Sequence, residues 1–213
     1  MQYTLADLEQ NVYSQLDDNS LFYTQAEVDR AINEAIRVLN LYTGYLQESA
    51  SGGTTTVNRV FYDVPSAILW PTAVYYGGRV LKKATVPAIG GFRKRWLADT
   101  GAKYGPVAEW VPIGIRKYAI HPACSIGSVA LTVEGVAEPT EMVNATDVLE
   151  FPDEYLDTMT DLAVHILPLK EGGKVFADSA SSYQDFLKGV QGISMWQKLK
   201  QPRFRVEVEA AKR

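Results

Sequence analysis

The start of the chain has the hydrophobic period of amphipathic helices. Apolar residues recur every three or four positions over residues 4–18 and again over residues 25–48, which is the spacing of one helix face. Thr4 and Thr24 each stand three residues before an acidic side chain, the arrangement of an N-cap with a partner in the first turn. We predict two helices that pack as an antiparallel pair.

The middle of the chain, residues 51–151, has a different pattern. Short runs of β-branched and aromatic residues alternate with polar ones, with Gly and Pro between the runs. This is typical of antiparallel strands joined by turns. The pair Gly77-Gly78 predicts one hairpin turn and Gly114 predicts another. We expect an antiparallel β-sandwich or small barrel that begins with a strand over residues 54–65 and closes with residues 146–152.

Helical spacing returns after Pro152. It predicts one helix over residues 156–167 and a last helix over about residues 174–199. Gly189 and Gly192 lie inside the last helix, and each costs about 1 kcal/mol of helix propensity relative to Ala.

These patterns predict an α+β fold. Residues 1–50 and 152–200 form an antiparallel helical bundle, made of the N-terminal helix pair and two C-terminal helices. Residues 51–151 form a β-rich domain inserted into that bundle, because the helical period stops before this segment and resumes after it. Residues 201–213 remain as an extended C-terminal arm.

The arm has the period of a half-buried strand. In the stretch QPRFRVEVEA, residues 201–210, every second side chain after Pro202 is apolar and the others are charged. A strand needs a neighbour for its backbone donors and acceptors, so we predict that the arm pairs with a partner protein. The predicted contact residues are Arg203, Phe204, Arg205, Val206 and Val208.

Charge and composition narrow the class of protein. The formal net charge is −4, which does not favour a nucleic-acid binder, although residues 198–213 carry six Lys and Arg against two Glu. The single cysteine, Cys124, excludes an intrachain disulfide and fits a reducing compartment. No stretch approaches the ~20 apolar residues of a membrane span. The first residues lack the basic and apolar segments of a secretion signal, so we expect a cytosolic product.

Catalytic motifs are missing from the sequence. It contains neither a phosphate-binding loop nor a dinucleotide fingerprint, and the histidines, His121 and His165, lack the clustered partners of a metal site. We therefore expect no catalytic, cofactor-binding or metal-binding residues. A small hydrolase or lyase with a carboxylate pair in the β region stays open as an alternative, because acidic residues are plentiful. The four tryptophans are expected to anchor a core or an interface.

The stretch FRKRW, residues 92–96, allows a second alternative. It mixes three cations with two aromatic side chains, a composition that binds single-stranded nucleic acid. In that function Arg93, Lys94 and Arg95 would be the contact residues. The competing interpretation is an amphipathic helix with Phe92 and Trp96 facing inward and the cations solvated.

Six segments follow one another in a distinctive order. They are FYTQAEVDRAINEAIRVLN (22–40), V…YDVP (57–65), RWLADTG (95–101), WVPIGIRK…IHP (110–122), LTVEGVAEP (131–139) and DVLEFPDEYLD (147–157). This succession covers almost the whole chain and resembles the head-to-tail adaptor proteins of short-tailed bacteriophages, also called connector or tail tubular A-like proteins. The chain departs from the expected pattern at the doubled glycine of residues 172–173.

The resemblance implies a structural function and no catalytic residues. Adaptors of this kind form a homo-oligomeric ring, usually a dodecamer, beneath the portal protein at the virion neck. The ring extends the channel through which DNA passes without sequence-specific binding, and it provides the platform for tail or nozzle proteins. A terminal extension embraces the portal, and here residues 199–213 are the candidate. The resemblance also implies assembly in the host cytoplasm, with no membrane involved.

Overall fold

The structure is a computed structural model. It describes residues 3–16, 22–92, 96–170 and 173–200. The chain divides into two compact units, here named the helical unit (Met1–Thr43 with Pro139–Arg213) and the β unit (Gly44–Glu138). Both boundaries lie before the predicted ones at residues 50/51 and 151/152.

The fold is of the mixed α+β class that the pattern predicts. The α-helices are α1 (Leu5–Leu16), α2 (Gln25–Thr43), α3 (Val86–Phe92), α4 (Gly101–Tyr104), α5 (Leu156–Ile166), α6 (Gly173–Asp178) and α7 (Ala180–Lys200). The strands are β1 (Gln47–Thr54), β2 (Phe61–Asp63), β3 (Ile68–Tyr76), β4 (Arg79–Val80), β5 (Lys82–Lys83), β6 (Glu109–Ile113), β7 (Lys117–His121) and β8 (Ala130–Ala137). Short 3₁₀ helices cover Trp96–Ala98, Asp153–Tyr155 and Leu167–Lys170.

The first two helices begin where the pattern predicts. The Thr4 N–H donates to Asp7 Oδ2 at 2.8 Å, and the Asp7 N–H donates to Thr4 Oγ1 at 3.4 Å. At the second helix the Thr24 N–H donates to Glu27 Oε2 at 3.0 Å. These bonds satisfy backbone donors that a helix start otherwise leaves free, so both predicted caps are confirmed.

The second helix ends earlier than residue 48, and the prediction of helix beyond Thr43 is wrong. Gly44 has a φ of 59°, a left-handed conformation that glycine adopts without steric cost at the end of a helix. Leu46 continues the apolar period, but its carbonyl accepts a bond from the Ala137 N–H at 2.9 Å. The chain has entered a sheet at this point, and β1 follows directly.

Helix α5 is the centre of the helical unit. It contacts α1, α2 and α7, and its predicted apolar stripe is buried at Leu156, Met159, Leu162 and Ala163. Gly189 of α7 lies against Thr158 of α5, because a Cβ built on Gly189 would stand 2.9 Å from Thr158 Cγ2. The missing side chain therefore allows the two helices to approach closely.

The last predicted helix, over about residues 174–199, is present as two helices separated at Ser179. Helix α6 ends at Asp178 and α7 begins at Ala180. His165 Nδ1 lies 3.1 Å from the Ser179 carbonyl oxygen and 2.9 Å from Ser179 Oγ. The helical bond from the Tyr183 N–H to that carbonyl is long, at 3.4 Å. A side chain that binds a helix carbonyl is a known cause of such a break.

The β unit contains two four-stranded sheets. Their strand orders are β1-β8-β3-β4 and β2-β7-β6-β5. All neighbouring strands in these two orders are antiparallel except β5 and β6, which are parallel. Over the described residues neither sheet closes on itself, so the predicted small barrel is absent there. Side chains from both sheets join one buried cluster, which includes Val74, Trp110, Tyr118, Ile120 and Val133.

The predicted hairpin turns are both present. Gly77 and Gly78 have φ values of 56° and 80° and join β3 to β4, as a tight two-residue turn requires. Gly114 lies in the turn from β6 to β7. The strand predicted over residues 54–65 is shorter than expected, since only Phe61–Asp63 pairs as β2. Asn58 has a φ of 61°, which is incompatible with an extended strand at that position.

The segment over residues 146–152 does not close the β unit, and that prediction is wrong. The Leu5 N–H donates to the Asp147 carbonyl at 2.9 Å, and the Leu149 N–H donates to the Tyr3 carbonyl at 2.9 Å. These bonds hold the segment against the start of α1. The carbonyls satisfy helix donors that lack partners inside the helix, so the segment is part of the helical unit.

Candidate partner-binding surfaces

The residues predicted to bind a partner lie outside the part of the chain that the structure describes. These are Arg203, Phe204, Arg205, Val206 and Val208 of the arm, and also Arg93, Lys94 and Arg95. Their contacts therefore stay predictions. The described residues form other surfaces that could receive a partner.

Strand β1 is an edge strand with a free side. Within the described residues it pairs with β8 alone. It spans 8 residues, whereas the other sheet edges, β2, β4 and β5, span only 3, 2 and 2. A free edge of this length presents a row of unpaired backbone groups, which is a template for another strand.

The pairing register shows which groups of β1 face outward. The Ala137 N–H donates to the Leu46 carbonyl, and Ser49 stands opposite Glu134. Because backbone groups alternate in direction along an antiparallel pair, those of Leu46 and Ala50 point toward β8. The N–H and C=O of Gln47, Ser49 and Ser51 therefore point away from the sheet.

The side chains of β1 are small and leave the core only partly covered. Ala50 is half-buried against the cluster shared by the two sheets. Gly52 follows on the same face, and a Cβ there would stand 3.2 Å from Val133 Cγ2. Ser49 and Ser51 are exposed. Glu48 lies on the same face and is exposed, so the apolar part of this face is limited to Ala50 and Gly52, which carry little side-chain volume.

The helical unit carries a shallow pocket of about 490 Å³ between α2 and the end of α5. Tyr23, Ala31 and Leu167 supply apolar walls, and Glu27 and Lys170 stand among the charged residues that also line it. Lys170 Nζ lies 2.8 Å from Glu27 Oε1. This contact, together with the bonds from Thr24, lowers the pKa of Glu27 to about 2. The pocket therefore combines apolar walls with an ion pair at its margin.

The β unit contains one contact that resembles catalytic chemistry. His121 Nε2 lies 3.1 Å from Asp99 Oδ2, and His121 Nδ1 lies 3.7 Å from Glu109 Oε2. The His121 and Asp99 side chains are only 7% and 8% exposed, and the Trp96 ring meets the imidazole edge-on at 6.2 Å. The pair lies beneath the surface and connects β7 to the segment before α4.

The tryptophans divide between core and surface. Trp110 is fully buried and Trp96 is 9% exposed, whereas Trp70 of β3 is 41% exposed. In the described residues no group of three or more His, Cys, Asp or Glu side chains is placed to hold a metal ion. No helix among those residues is both long and apolar enough to span a bilayer.

The comparison with protein families adds the decisive observation. The sequence model of the SU10 adaptor protein family matches residues 3–206, which include both units and the first part of the arm. The chain belongs to the SU10 adaptor protein family. It is a phage structural adaptor, in agreement with the resemblance found in the sequence. The comparison of the adaptor with curated proteins gave no match.

The adaptor's free edge was not found from its sequence. The stretch QESASGGT has no apolar alternation, and the helical period of α2 runs into it. Gly44 and the pair Gly52-Gly53 are the available signals, because they bound a segment that is too short and too polar for a further helix. They indicate an irregular segment, but they do not indicate a strand.

Proposed function

We propose that this adaptor forms a homo-oligomeric ring, a dodecamer, beneath the portal at the virion neck. The ring extends the DNA channel and provides the platform on which tail or nozzle proteins assemble. The family match over residues 3–206 carries this proposal. The full set of partners is other copies of the chain, the portal and the tail proteins, and assembly takes place in the host cytoplasm.

The surfaces of both units support an assembly function. Exposed apolar side chains occur on the helical unit at Phe22 and Tyr42 and on the β unit at Trp70 and Ile115. Aromatic residues of this kind are enriched in protein interfaces. A ring can cover such residues through heterologous contacts that close by rotation. The net charge of −4 suits a channel wall, since it does not retain phosphates.

The finer architecture belongs to the same proposal. The helical unit is an antiparallel bundle, the β unit is a sandwich inserted into it, and residues 201–213 are an extended arm. Arg203, Phe204, Arg205, Val206 and Val208 of the arm contact the portal. Backbone pairing supplies affinity there, and the apolar side chains fill pockets on alternate positions.

The ring is tested by mixing the purified adaptor with its portal and imaging the mixture by negative-stain electron microscopy. We expect two stacked rings and, by mass photometry, an adaptor mass that is a multiple of the 23.6 kDa chain. A monomer that leaves the portal ring unchanged would refute the proposal.

The arm is tested separately by truncation after Pro202. Because the arm is proposed to contact a partner and not the chain's own core, we expect the melting temperature to stay within about 2 °C of the full chain, which is below the shift that 1 kcal/mol produces. Portal binding is expected to be lost. If truncation unfolds the protein, the arm is an internal strand of its own fold, and the portal contact is wrong.

A further inference from the structure

The free edge of β1 and the strand-like arm are complementary in one chain. We propose that β1 is a strand acceptor and that its occupant is the arm, residues 203–209, of a neighbouring copy. This inference rests on the arm of the proposed function and adds the surface that receives it. The arm keeps a second backbone edge, which stays available for the portal.

The arm and β1 are of similar length. The alternating part of the arm spans residues 203–209. Strand β1 spans 8 residues, of which Gln47 to Ser51 pair with β8 in a regular register before an irregularity between Ser51 and Thr54. The described chain ends with α7 at Lys200, so the alternating stretch begins almost directly after a helix. Of the free sheet edges in the described residues, only β1 can pair with a strand of this length along most of its extent.

The two faces also match. On the inner face of β1, Ala50 and Gly52 leave the core edge thinly covered. Added alongside, the arm would place Phe204, Val206 and Val208 on that face and extend the apolar cover, since alternate residues of a strand share one side. Its charged residues would then share the solvent face with Ser49 and Ser51.

The outward groups of β1 supply the affinity. The N–H and C=O groups of Gln47, Ser49 and Ser51 point away from β8, as the pairing register shows. Each can bond to a backbone group of an incoming strand, as in recognition by strand addition. Ser49 is therefore the residue at which the edge can be blocked without breaking the ladder to β8.

Cysteine pairs test the geometry in the full chain. Ser49→Cys is combined with Arg203→Cys, Arg205→Cys or Glu207→Cys, which share its face in the proposed sheet. The matched controls combine it with Phe204→Cys, Val206→Cys or Val208→Cys, which face the other side. Because a disulfide forms only where the two Cβ atoms approach within a few Å, we expect at least one pair of the first set to oxidise about tenfold faster than every control. Bonds between copies support the acceptor, whereas bonds found only within a copy overturn it. Equal rates in the two sets, or no bond in either, overturn it.

An edge block provides a second test. Proline at an outward N–H of an edge strand is tolerated by the sheet itself, so Ser49→Pro should keep the fold, as checked by circular dichroism, while it removes a bond to the arm. We expect trypsin to cleave after Arg203 and Arg205 about tenfold faster in this variant, because local opening sets proteolysis. Ser49→Ala is the control and should cleave as the unaltered chain does. Unchanged cleavage in folded Ser49→Pro would overturn the acceptor, whereas stacked rings with the portal would still support the proposed function.

Discussion

Gly189 provides a sharp test of how closely α5 and α7 pack. A Cβ at this position would stand 2.9 Å from Thr158 Cγ2 and 3.0 Å from Thr158 Cβ, and Thr158 is buried at 6% exposure. Gly192 lies one turn further along the same helix, and a Cβ there would meet nothing within 4 Å. The two glycines are therefore matched in helix context and differ in what surrounds the added methyl group.

The magnitudes follow from this difference. Replacing Gly by Ala inside a helix gains about 1 kcal/mol of propensity, and this gain applies to both positions. Overpacking of a filled site costs about 1–3 kcal/mol, and it applies to Gly189 alone. We expect Gly192→Ala to raise the free energy of unfolding by about 1 kcal/mol. Gly189→Ala should be about 1–3 kcal/mol less stable than Gly192→Ala.

The assay is urea unfolding followed by far-ultraviolet circular dichroism, with thermal melts as a second measure. For a chain of this length 1 kcal/mol corresponds to a shift of about 2–4 °C. The double variant Gly189→Ala with Thr158→Ala removes the contacting hydroxyl and methyl groups, and it should recover part of the loss through a non-additive coupling. If Gly189→Ala proves as stabilising as Gly192→Ala, the close approach of α5 and α7 is wrong.

The shifted pKa values of two carboxyl groups predict that the free energy of unfolding changes with pH in opposite directions. Burial and the neighbouring Glu9 raise the pKa of Asp29 from 3.8 to about 6, so its contribution to stability is present below pH 4 and is lost as the pH rises through 6. Asp29→Asn should remove that slope and raise stability at neutral pH; a slope that persists would contradict the assignment. Glu27 has a pKa lowered from 4.5 to about 2, so its contribution is present above pH 4.5 and is lost as the pH falls through 2. Glu27→Gln should therefore lower the free energy of unfolding at neutral pH. It should also reduce the fall of that free energy in acid, as measured by chemical unfolding at several pH values, and an unchanged fall would argue against the Lys170 contact.

Helix positions in this protein could be predicted because local chemistry decides them. The caps at Thr4 and Thr24 depend on residues three positions away, and the apolar stripe of α5 depends on spacing alone. The turn at Gly77-Gly78 is equally local, since few residues other than glycine adopt its backbone angles. In each case the deciding contact lies within one turn or one hairpin.

The elements that were predicted wrongly from the sequence depend on contacts with residues far away in the chain. Strand β1 forms because β8 lies beside it, although its own sequence favours no strand. The last helical segment is interrupted near its start, at Ser179, by His165, which lies 14 residues earlier. Residues 146–152 follow the start of α1 because the Leu5 N–H donates to the Asp147 carbonyl and the Leu149 N–H donates to the Tyr3 carbonyl. Periodicity carries no information about such contacts, and the edge of β1 escaped prediction for the same reason.

The bond between Leu46 and Ala137 bears on how the chain folds during synthesis. The two ends of the β unit are fastened together, so this unit is complete once residue 138 has left the ribosome. Helices α1 and α2 are made first, but the helix they pack against, α5, begins only at Leu156. The faces of α1 and α2 that pack against α5 therefore lack this partner while the whole β unit is synthesised. Helices α1 and α2 are thus translated before the β unit but packed against α5 only after it, and during that interval their apolar faces are available to a chaperone.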